Sequence, residues 1–371
     1  MKNLNKKIIF KCIVIVGFLL STPSIQGQLN TPRGSQKAIV KQTVGITTIS
    51  ITYSRPSVKG REIWGKLVPY GMNNLGFGTA KESPWRAGAD ENTTIKFTND
   101  VTIEGKTLKA GKYGLHMVIK ENGEADLIFS NNSTAWGSYF YNPDEDALTV
   151  TVMTKETSHK ELLTYEFIDV QPTSTTAALI WEKKEIPFKI EVAVKDIVLA
   201  DMRKKMQGQG GFTRANWENA ANYALNNGGD LNEAMLWIDT AISGQFFSQK
   251  TFNNQFIKSQ ILTKQGKIEE SLNLQEKLVS TANVNQLNTI GYQFLTNNKI
   301  KRAIEIFKLN IKKNPKNANA YDSLGDGYRT KGDKKNAIKN YKKSLSLNPA
   351  PALKANSIKM LKELGVDYKG S

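Results

Sequence analysis

Two hydrophobic periodicities run along the chain, and they divide it. From residue 30 to about residue 200, short β-branched and aromatic runs alternate with turn residues every eight to twelve positions. A period of two places alternate side chains on opposite faces of a strand. Strands are expected at 46–53, 93–97, 101–103, 112–120, 125–130, 148–154, 162–169, 175–182 and 188–194. Asn99-Asp100 marks a turn and Glu104-Gly105 a hairpin. Asn122-Gly123 is the strongest two-residue hairpin signal in the chain. About ten strands without a convincing helix predict an all-β antiparallel sandwich. Beyond residue 213 the spacing changes to three and four, the period of helices with one buried face.

In that second part a 34-residue pattern occurs twice. Leu287, Ile290, Gly291, Phe294, Ala303, Phe307 and Pro315 recur as Tyr321, Leu324, Gly325, Tyr328, Ala337, Tyr341 and Pro349. Gly325 lies on the buried face, where glycine costs about 1 kcal/mol relative to alanine. Close approach of a neighbouring helix would offset that cost. Lys331-Gly332-Asp333 reads as the turn, and Pro349 ends the second helix. At these positions the pattern resembles the tetratricopeptide repeat, which implies antiparallel helix pairs stacked around a concave groove. Two weaker copies precede it. Leu262, Gly266, Ile268 and Ser271 echo Phe294, Asn298, Ile300 and Ala303, and residues 229–234 repeat the turn-then-helix pattern after Trp217 and Tyr223. The expectation is an all-α tetratricopeptide-like helical solenoid over residues 213–371, of about four repeats, closed by a polar-faced capping helix at 351–364.

The remaining segments complete a two-domain organisation: 1–27 a signal peptide, 28–195 the β-sandwich, 196–212 a linker and 213–371 the solenoid. Lys2, Lys6, Lys7 and Lys11 precede the apolar run 12–20, and Pro23 breaks it, with cleavage expected between Gly27 and Gln28. The run is short for a bilayer span, so no stable transmembrane segment is expected after cleavage. Cys12 is the only cysteine. Its loss removes disulfides, thiol catalysis and cysteine metal sites together, and suits an exported protein of the periplasm or cell surface. Gly208, Gly210 and Gly211 suggest the flexible linker. Charge divides at the same place. Residues 33–196 hold 20 Lys+Arg and 20 Asp+Glu, whereas residues 201–371 hold 27 against 14.

Residues 53–94, YSRPSVKGREIWGKLVPYGMNNLGFGTAKESPWRAGADENTT, form the longest irregular stretch of the β region. Stretches of this kind are functional or disordered, and Tyr53, Trp64, Tyr70, Phe77 and Trp85 argue for order. The segments YSRPSVKGREIWG, LVPYG and WRAGADENTTI resemble the signature of an exported bacterial family known only as domain of unknown function 2911. GKYGL at 111–115 and AWG at 135–137 fit the same pattern. The resemblance covers residues 31–194. NWENAANYAL and LNEAMLWIDTAI look like the tail that often follows this domain. It implies an architecture and no established activity. Between Tyr70 and Trp85 the chain carries an additional MNNLGFGTAKESP, where many relatives pass directly from PYG to WR, so the insertion is expected to alter any pocket.

The ligand-binding candidates are Arg55, Arg61, Trp64, Tyr70, Trp85, Arg86, Asp90 and Glu91. The arginines offer planar donors to carboxylate, phosphate or sugar hydroxyls, and the aromatic rings offer stacking surfaces. The competing reading is structural: Arg86 pairs with Asp90 or Glu91 to pin the loop, and the tryptophans are core. Asp90 and Glu91 are adjacent and point apart on a strand, so a two-carboxylate glycosidase needs another acid from elsewhere. His116 lies in an apolar strand and reads as a satisfied core histidine. Two histidines make a zinc site improbable, and Asp144-Glu145-Asp146 reads as a solvated turn rather than a calcium site. No serine-centred elbow, phosphate loop or dinucleotide fingerprint is present. No catalytic residue, metal or cofactor is assigned.

In the solenoid, Asn285, Asn288, Tyr292, Asn319, Asp322, Asp326 and Arg329 fall on the groove side of the resembled fold. Asp322 and Asp326 stand where a carboxylate-clamping repeat carries Lys and Asn. Lys301, Arg302, Lys308, Lys312, Lys334, Lys335, Lys339, Lys342 and Lys343 fall on the outer side, as a solvated face or a contact for anionic envelope components. Nucleic acid is not expected, because no aromatic residues interleave them. The sequence therefore predicts an exported binding or scaffold protein whose β domain docks an envelope ligand, such as a glycan or an anionic component, and whose solenoid holds a protein partner. The alternative is a hydrolase acting on glycan or peptide, with its site in the 53–94 loop.

Overall fold

A computed structural model describes residues 32–368; the expected signal segment and the Gly27–Gln28 cleavage position lie outside the described residues. The chain divides into two compact units between Val192 and Ala193.

The described part of the first unit contains ten strands: β1 (Gln36–Val44), β2 (Thr47–Arg55), β3 (Thr94–Phe97), β4 (Val101–Ile103), β5 (Lys106–Leu108), β6 (Gly111–Ile119), β7 (Glu124–Ser130), β8 (Asp146–Met153), β9 (Lys155–Ile168) and β10 (Ser174–Glu191). They pair antiparallel in a six-stranded sheet, β1-β2-β3-β6-β7-β8, and a four-stranded sheet, β5-β4-β10-β9. The inner faces meet in a sandwich. Phe129 of β7 stands edge-on to Phe188 of β10, with ring centroids 6.2 Å apart, and Tyr53 of β2 meets Tyr165 of β9 at 4.7 Å. The Asn122-Gly123 turn forms as the sequence predicts. Gly123 takes a φ of +89°, and Asn122 Oδ1 accepts from Glu124 N at 3.0 Å.

Two departures have physical reasons. β1 was not expected because only one of its faces is partly covered and Ile39 is exposed. The strands expected at 175–182 and 188–194 are one strand, β10. Lys184 and Glu185, polar enough to suggest a turn, pair with Glu156 and Lys155 of β9, and the irregularity at Glu182 (φ 54°) absorbs the kink.

β6 decides where the long loop lies. It has nine residues, but β3 pairs with only the first four, Gly111 to Gly114. Residues 56–93 cover the rest of that edge. Leu115 N donates to Thr93 O, Met117 and Trp85 exchange both backbone bonds, and Gly71 N donates to Ile119 O, all at 2.8 Å. A bare edge presents unpaired N–H and C=O groups; here the loop pairs with them.

The second unit contains ten helices among its described residues: α1 (Val194–Met206), α2 (Arg214–Asn227), α3 (Leu231–Ile242), α4 (Phe252–Lys264), α5 (Ile268–Leu278), α6 (Val284–Thr296), α7 (Ile300–Lys313), α8 (Ala318–Thr330), α9 (Lys334–Ser346) and α10 (Pro351–Glu363). α2/α3, α4/α5, α6/α7 and α8/α9 are the successive pairs, and α10 closes the row. The pair turns carry left-handed residues at Gly228, Gly266, Asn298 and Gly332, so the weak upstream echoes mark equivalent turns.

The linker expected at 196–212 is instead α1 and a short 3-10 turn, Gln209–Phe212. Leu199 is buried, and Met202 and Met206 pack against the same α2–α3 cluster. The glycines that suggested flexibility permit close packing: a Cβ on Gly210 would meet Lys205 O at 2.9 Å, and Gly211 crowds Met206 O.

The repeat glycines behave similarly. Gly291 lies against the Phe307 ring, and a Cβ on Gly325 would stand 2.7 Å from the Tyr341 ring. Gly325→Ala is expected to cost about 1–3 kcal/mol by overpacking. Chemical denaturation of the variant checks this, and an unchanged midpoint would remove the close approach as the reason for glycine there.

Candidate functional site

The 53–94 segment encloses a cleft of about 560 Å³ in the first unit. Trp85 and Trp181 form its aromatic wall, Lys59, Arg61 and Arg86 bring positive charge, and Asp90 is the carboxylate among its lining residues. The segment 72–84 supplies Asn73, Leu75, Ser83 and Pro84 to the lining. It is tied down by an Asn73–Ser83 bridge and by Thr79 N and Ala80 N, which donate to Tyr139 O at 3.1 and 3.2 Å.

The structure brings only half of the loop candidates to this cleft. Arg61, Trp85, Arg86 and Asp90 line it. Arg61 is exposed and held by its own turn, its Nε donating to Val58 O at 3.0 Å. Arg86 donates to the backbone oxygen of Asp90 at 2.8 Å, and its Cζ lies 4.9 Å from the centre of the Tyr139 ring. The expected pairing of Arg86 with an acidic side chain is thus replaced by a bond to a carbonyl. Asp90 takes a φ of 57° in this turn.

The other four do not line the cleft. Arg55 spans from β2 to β9, donating to Leu163 O at 2.9 Å and Thr164 Oγ1 at 2.7 Å. Trp64 stands edge-on to Trp85 and Trp181, at 5.9 and 6.0 Å, so its role is to back the aromatic wall. Tyr70 lies over Gly65, whose φ is +85°. Glu91 pairs with Arg33, whose hydrogen bond holds its carboxyl below the usual range.

Several lining residues carried no sequence signal. Trp181 reads as strand core, and it is 1% exposed with a buried Nε1 that lacks a hydrogen-bond partner. Ser138 lies at the floor beside Gly137 (φ 61°), 22 residues from its partner His116. His116 Nδ1 and Ser138 Oγ are 2.9 Å apart, and the ring stands edge-on to Tyr141 at 5.8 Å. His116 is a buried histidine partnered at Nδ1, in line with its strand pattern. Burial first, and the positive charge of Arg86 second, push it down to about 4.

In the second unit the expected groove residues divide. Asn285, Asn319 and Arg329 are exposed. Asp322 is not a groove residue: it is 3% exposed, and its carboxylate accepts from Ser357 Oγ and from Asn356 Nδ2 of α10. Asp326 joins successive repeats, accepting from Tyr292 OH at 2.7 Å and from Tyr341 OH at 2.6 Å. Burial pushes both tyrosines up, most strongly of their causes. Asn288 is half-buried, its Oδ1 unpartnered. The acidic pair that displaced a carboxylate clamp in the sequence thus serves to fasten helices. Of the outer cations, Arg302 pairs with Glu276 and Glu305, while Lys334, Lys335, Lys339 and Lys342 are exposed.

Among the described residues no helix is long and apolar enough to cross a membrane, and no group of three or more His, Cys, Asp and Glu side chains gathers.

One buried group in each unit carries a pH dependence of opposite sign. His116 is lowered from its ordinary 6.5 to about 4. Its contribution is present above pH 6.5 and is lost as pH falls through about 4, on the order of 3 kcal/mol. Asp322 is raised from 3.8 to about 6, mainly by burial. Its contribution is present below pH 3.8 and is lost as pH rises through about 6, on the order of 3 kcal/mol. Denaturation of Asp322→Asn and the parent at pH 4 and pH 7 should show the variant gaining relative stability at the higher pH. A ring-proton titration of His116 should show no protonation above pH 5. A constant stability difference, or a His116 midpoint near 6.5, would contradict these assignments.

Residues 35–190 match the model of a family described as a protein of unknown function, DUF2911, and residues 318–351 match a tetratricopeptide repeat. No curated protein matches the chain. Among solved structures the chain is similar to YrrB, described as "a TPR protein with an unusual peptide-binding site", at 16% identity over 44% of this chain and 84% of that one, with a TM-score of 0.35. It is similar to MamA at 16% identity over 44% and 92%, with a TM-score of 0.36. It is also similar to MamA residues 41-end from Desulfovibrio magneticus RS-1 at 16% identity over 42% and 86%, with a TM-score of 0.34. Residues 35–190 therefore belong to the DUF2911 family, and residues 318–351 are a tetratricopeptide repeat.

Proposed function

We propose that the protein is an exported binding scaffold: the cleft of its DUF2911 domain takes an anionic, hydroxyl-rich ligand of the glycan class, and its helical repeats hold a protein partner. The cleft carries this reading. Three cationic side chains and a single carboxylate line it together with Trp85, which Trp181 backs, and this favours a ligand with negative charge and a ring face able to stack. A cleft of about 560 Å³ is the size of a small-molecule site. The partner reading is supported by the repeat itself and by the exposed Asn285, Asn319 and Arg329 on the groove side. Export is supported by the cationic and apolar pattern of residues 2–20. N-terminal sequencing of the protein from envelope fractions should begin at Gln28, and an intact Met1 would count against export.

The ligand reading is tested on the full chain with oligogalacturonate, and with neutral malto-oligosaccharide as the control. At 100 times the dissociation constant a bound ligand adds about 2.7 kcal/mol, read as a rise in melting temperature. The acidic oligosaccharide should stabilise the protein and the neutral one much less, with Arg61→Ala weakening binding at least tenfold. Arg61 is exposed and contacts only its own turn, so this variant keeps the fold. Equal response to both sugars, or none to either, rejects the ligand class.

A further inference from the structure

At the floor of the cleft a serine hydroxyl meets a neutral imidazole. Ser138 Oγ lies 2.9 Å from His116 Nδ1, a hydrogen-bond distance; in the Nε2–H tautomer the hydroxyl is the donor and Nδ1 the acceptor. Ser138 is among the residues lining the cleft and is 1% exposed, and His116 stands behind it in β6, 3% exposed. Both are fixed from outside the pair. Ser83 Oγ donates to Ser138 O at 2.9 Å, which ties the serine to the 72–84 segment. The imidazole is held in the sheet and edge-on to Tyr141.

Arg86 closes the third side. Its guanidinium is packed against Gly137, where any Cβ would come within 2.6 Å of Nη1, so the residue before Ser138 is a glycine for lack of space as well as for its φ of 61°. The same arginine lines the cleft. Burial and its positive charge hold His116 in the neutral form at ordinary pH. A nearly buried hydroxyl in contact with a neutral base, against a ligand-sized cleft and next to the glycine on which Arg86 packs, is an arrangement from which a serine nucleophile is built.

We propose that Ser138 and His116 are a nucleophile and general base for acyl transfer, with Arg86 facing the oxyanion, acting on an O-acylated form of the cleft's ligand. Ser138 Oγ bonds to the acyl carbon while its proton passes to His116 Nδ1. The bond from that carbon to the ligand oxygen breaks, and the departing alkoxide takes the proton from His116. Water then adds to the acyl-serine, giving a proton to His116. The bond to Oγ breaks, Oγ recovers the proton, and the carboxylic acid leaves. No oxidant, metal or cofactor enters the balance. The proposal rests on the cleft admitting small ligands.

The test uses the full folded chain and a fluorophosphonate, which forms an Oγ–phosphorus bond and releases fluoride only at an activated serine. Peptide mapping should place a single adduct on Ser138. It should be absent from Ser138→Ala and form at least 100-fold more slowly in His116→Gln, which retains a polar side chain but cannot take the proton. Turnover of p-nitrophenyl acetate should fall at least 100-fold in Ser138→Ala. That variant deletes one hydroxyl and serves even where His116→Gln unfolds. Absence of an adduct on the folded parent, an unchanged labelling rate in a folded His116→Gln, or unchanged turnover in Ser138→Ala overturns the proposal. Labelling of Ser138 without oligogalacturonate binding would keep the pair and reject only the ligand class. Saccharide binding without labelling would reject the pair alone.

Discussion

The first unit is built on the uncovered edge of β6. Backbone groups in a sheet must find partners, and β3 ends four residues along a nine-residue neighbour. The chain meets that requirement with loop rather than strand, placing Trp85 opposite Met117 and Tyr70 opposite Ile119. Everything of chemical interest follows. Because Trp85 is pinned by its own backbone, its indole is fixed 6.0 Å from Trp181 and nearly parallel to it. Because Arg86 is the next residue, it is turned toward Gly137 and Tyr139. The cleft is the space left between a loop obliged to follow the β6 edge and the sheets beneath.

The second unit solves a different problem with the same economy of contact. Each of the last two pairs places a glycine under the aromatic ring of the next helix, Gly291 under Phe307 and Gly325 under Tyr341. The phenol of Tyr341 then reaches Asp326, which also accepts from Tyr292 one repeat earlier. Hydrogen bonds to an ionised acceptor are stronger than neutral ones, so the carboxylate joins repeats that packing alone would leave free to slide. Asp322 performs the equivalent task toward α10 through Asn356 and Ser357. Asp322 and Asp326 are therefore turned inward, while lysines such as Lys335 and Lys339 remain outside.

How much of this the sequence discloses depends on the range of the interaction. The repeat is legible because its reasons are local: a 34-residue spacing, a glycine and an aromatic. The hairpin at Asn122-Gly123 and the strand alternation of β6 and β7 are local too. Partners distant in sequence are not legible. Glu91 finds Arg33 across 58 residues, Ser138 finds His116 across 22, and Arg55 reaches β9 across more than 100. Composition also misleads where sterics govern. Gly210 and Gly211 read as a flexible linker, yet they are glycines because the carbonyls of Lys205 and Met206 leave no room for a side chain. Asp322 reads as a groove residue because the resembled repeat fold places it on that side, but the capping helix covers it. Of the cleft, the sequence shows which loop forms it and four of its lining residues, Arg61, Trp85, Arg86 and Asp90. Trp181, which completes the aromatic wall, comes from a strand whose pattern says only core.

The pairing of the loop with β6 is the central claim, and native-state hydrogen exchange of the full chain tests it most directly. The amides of Gly71, Trp85 and Met117 each donate to a backbone oxygen at 2.8 Å across this junction. They are predicted to exchange as slowly as the amides of the β3–β6 ladder, since both would open with the sheet. Exchange of Gly71 and Trp85 at the rate of free loop amides, with β3 and β6 still protected, would contradict the account and leave the cleft without its frame.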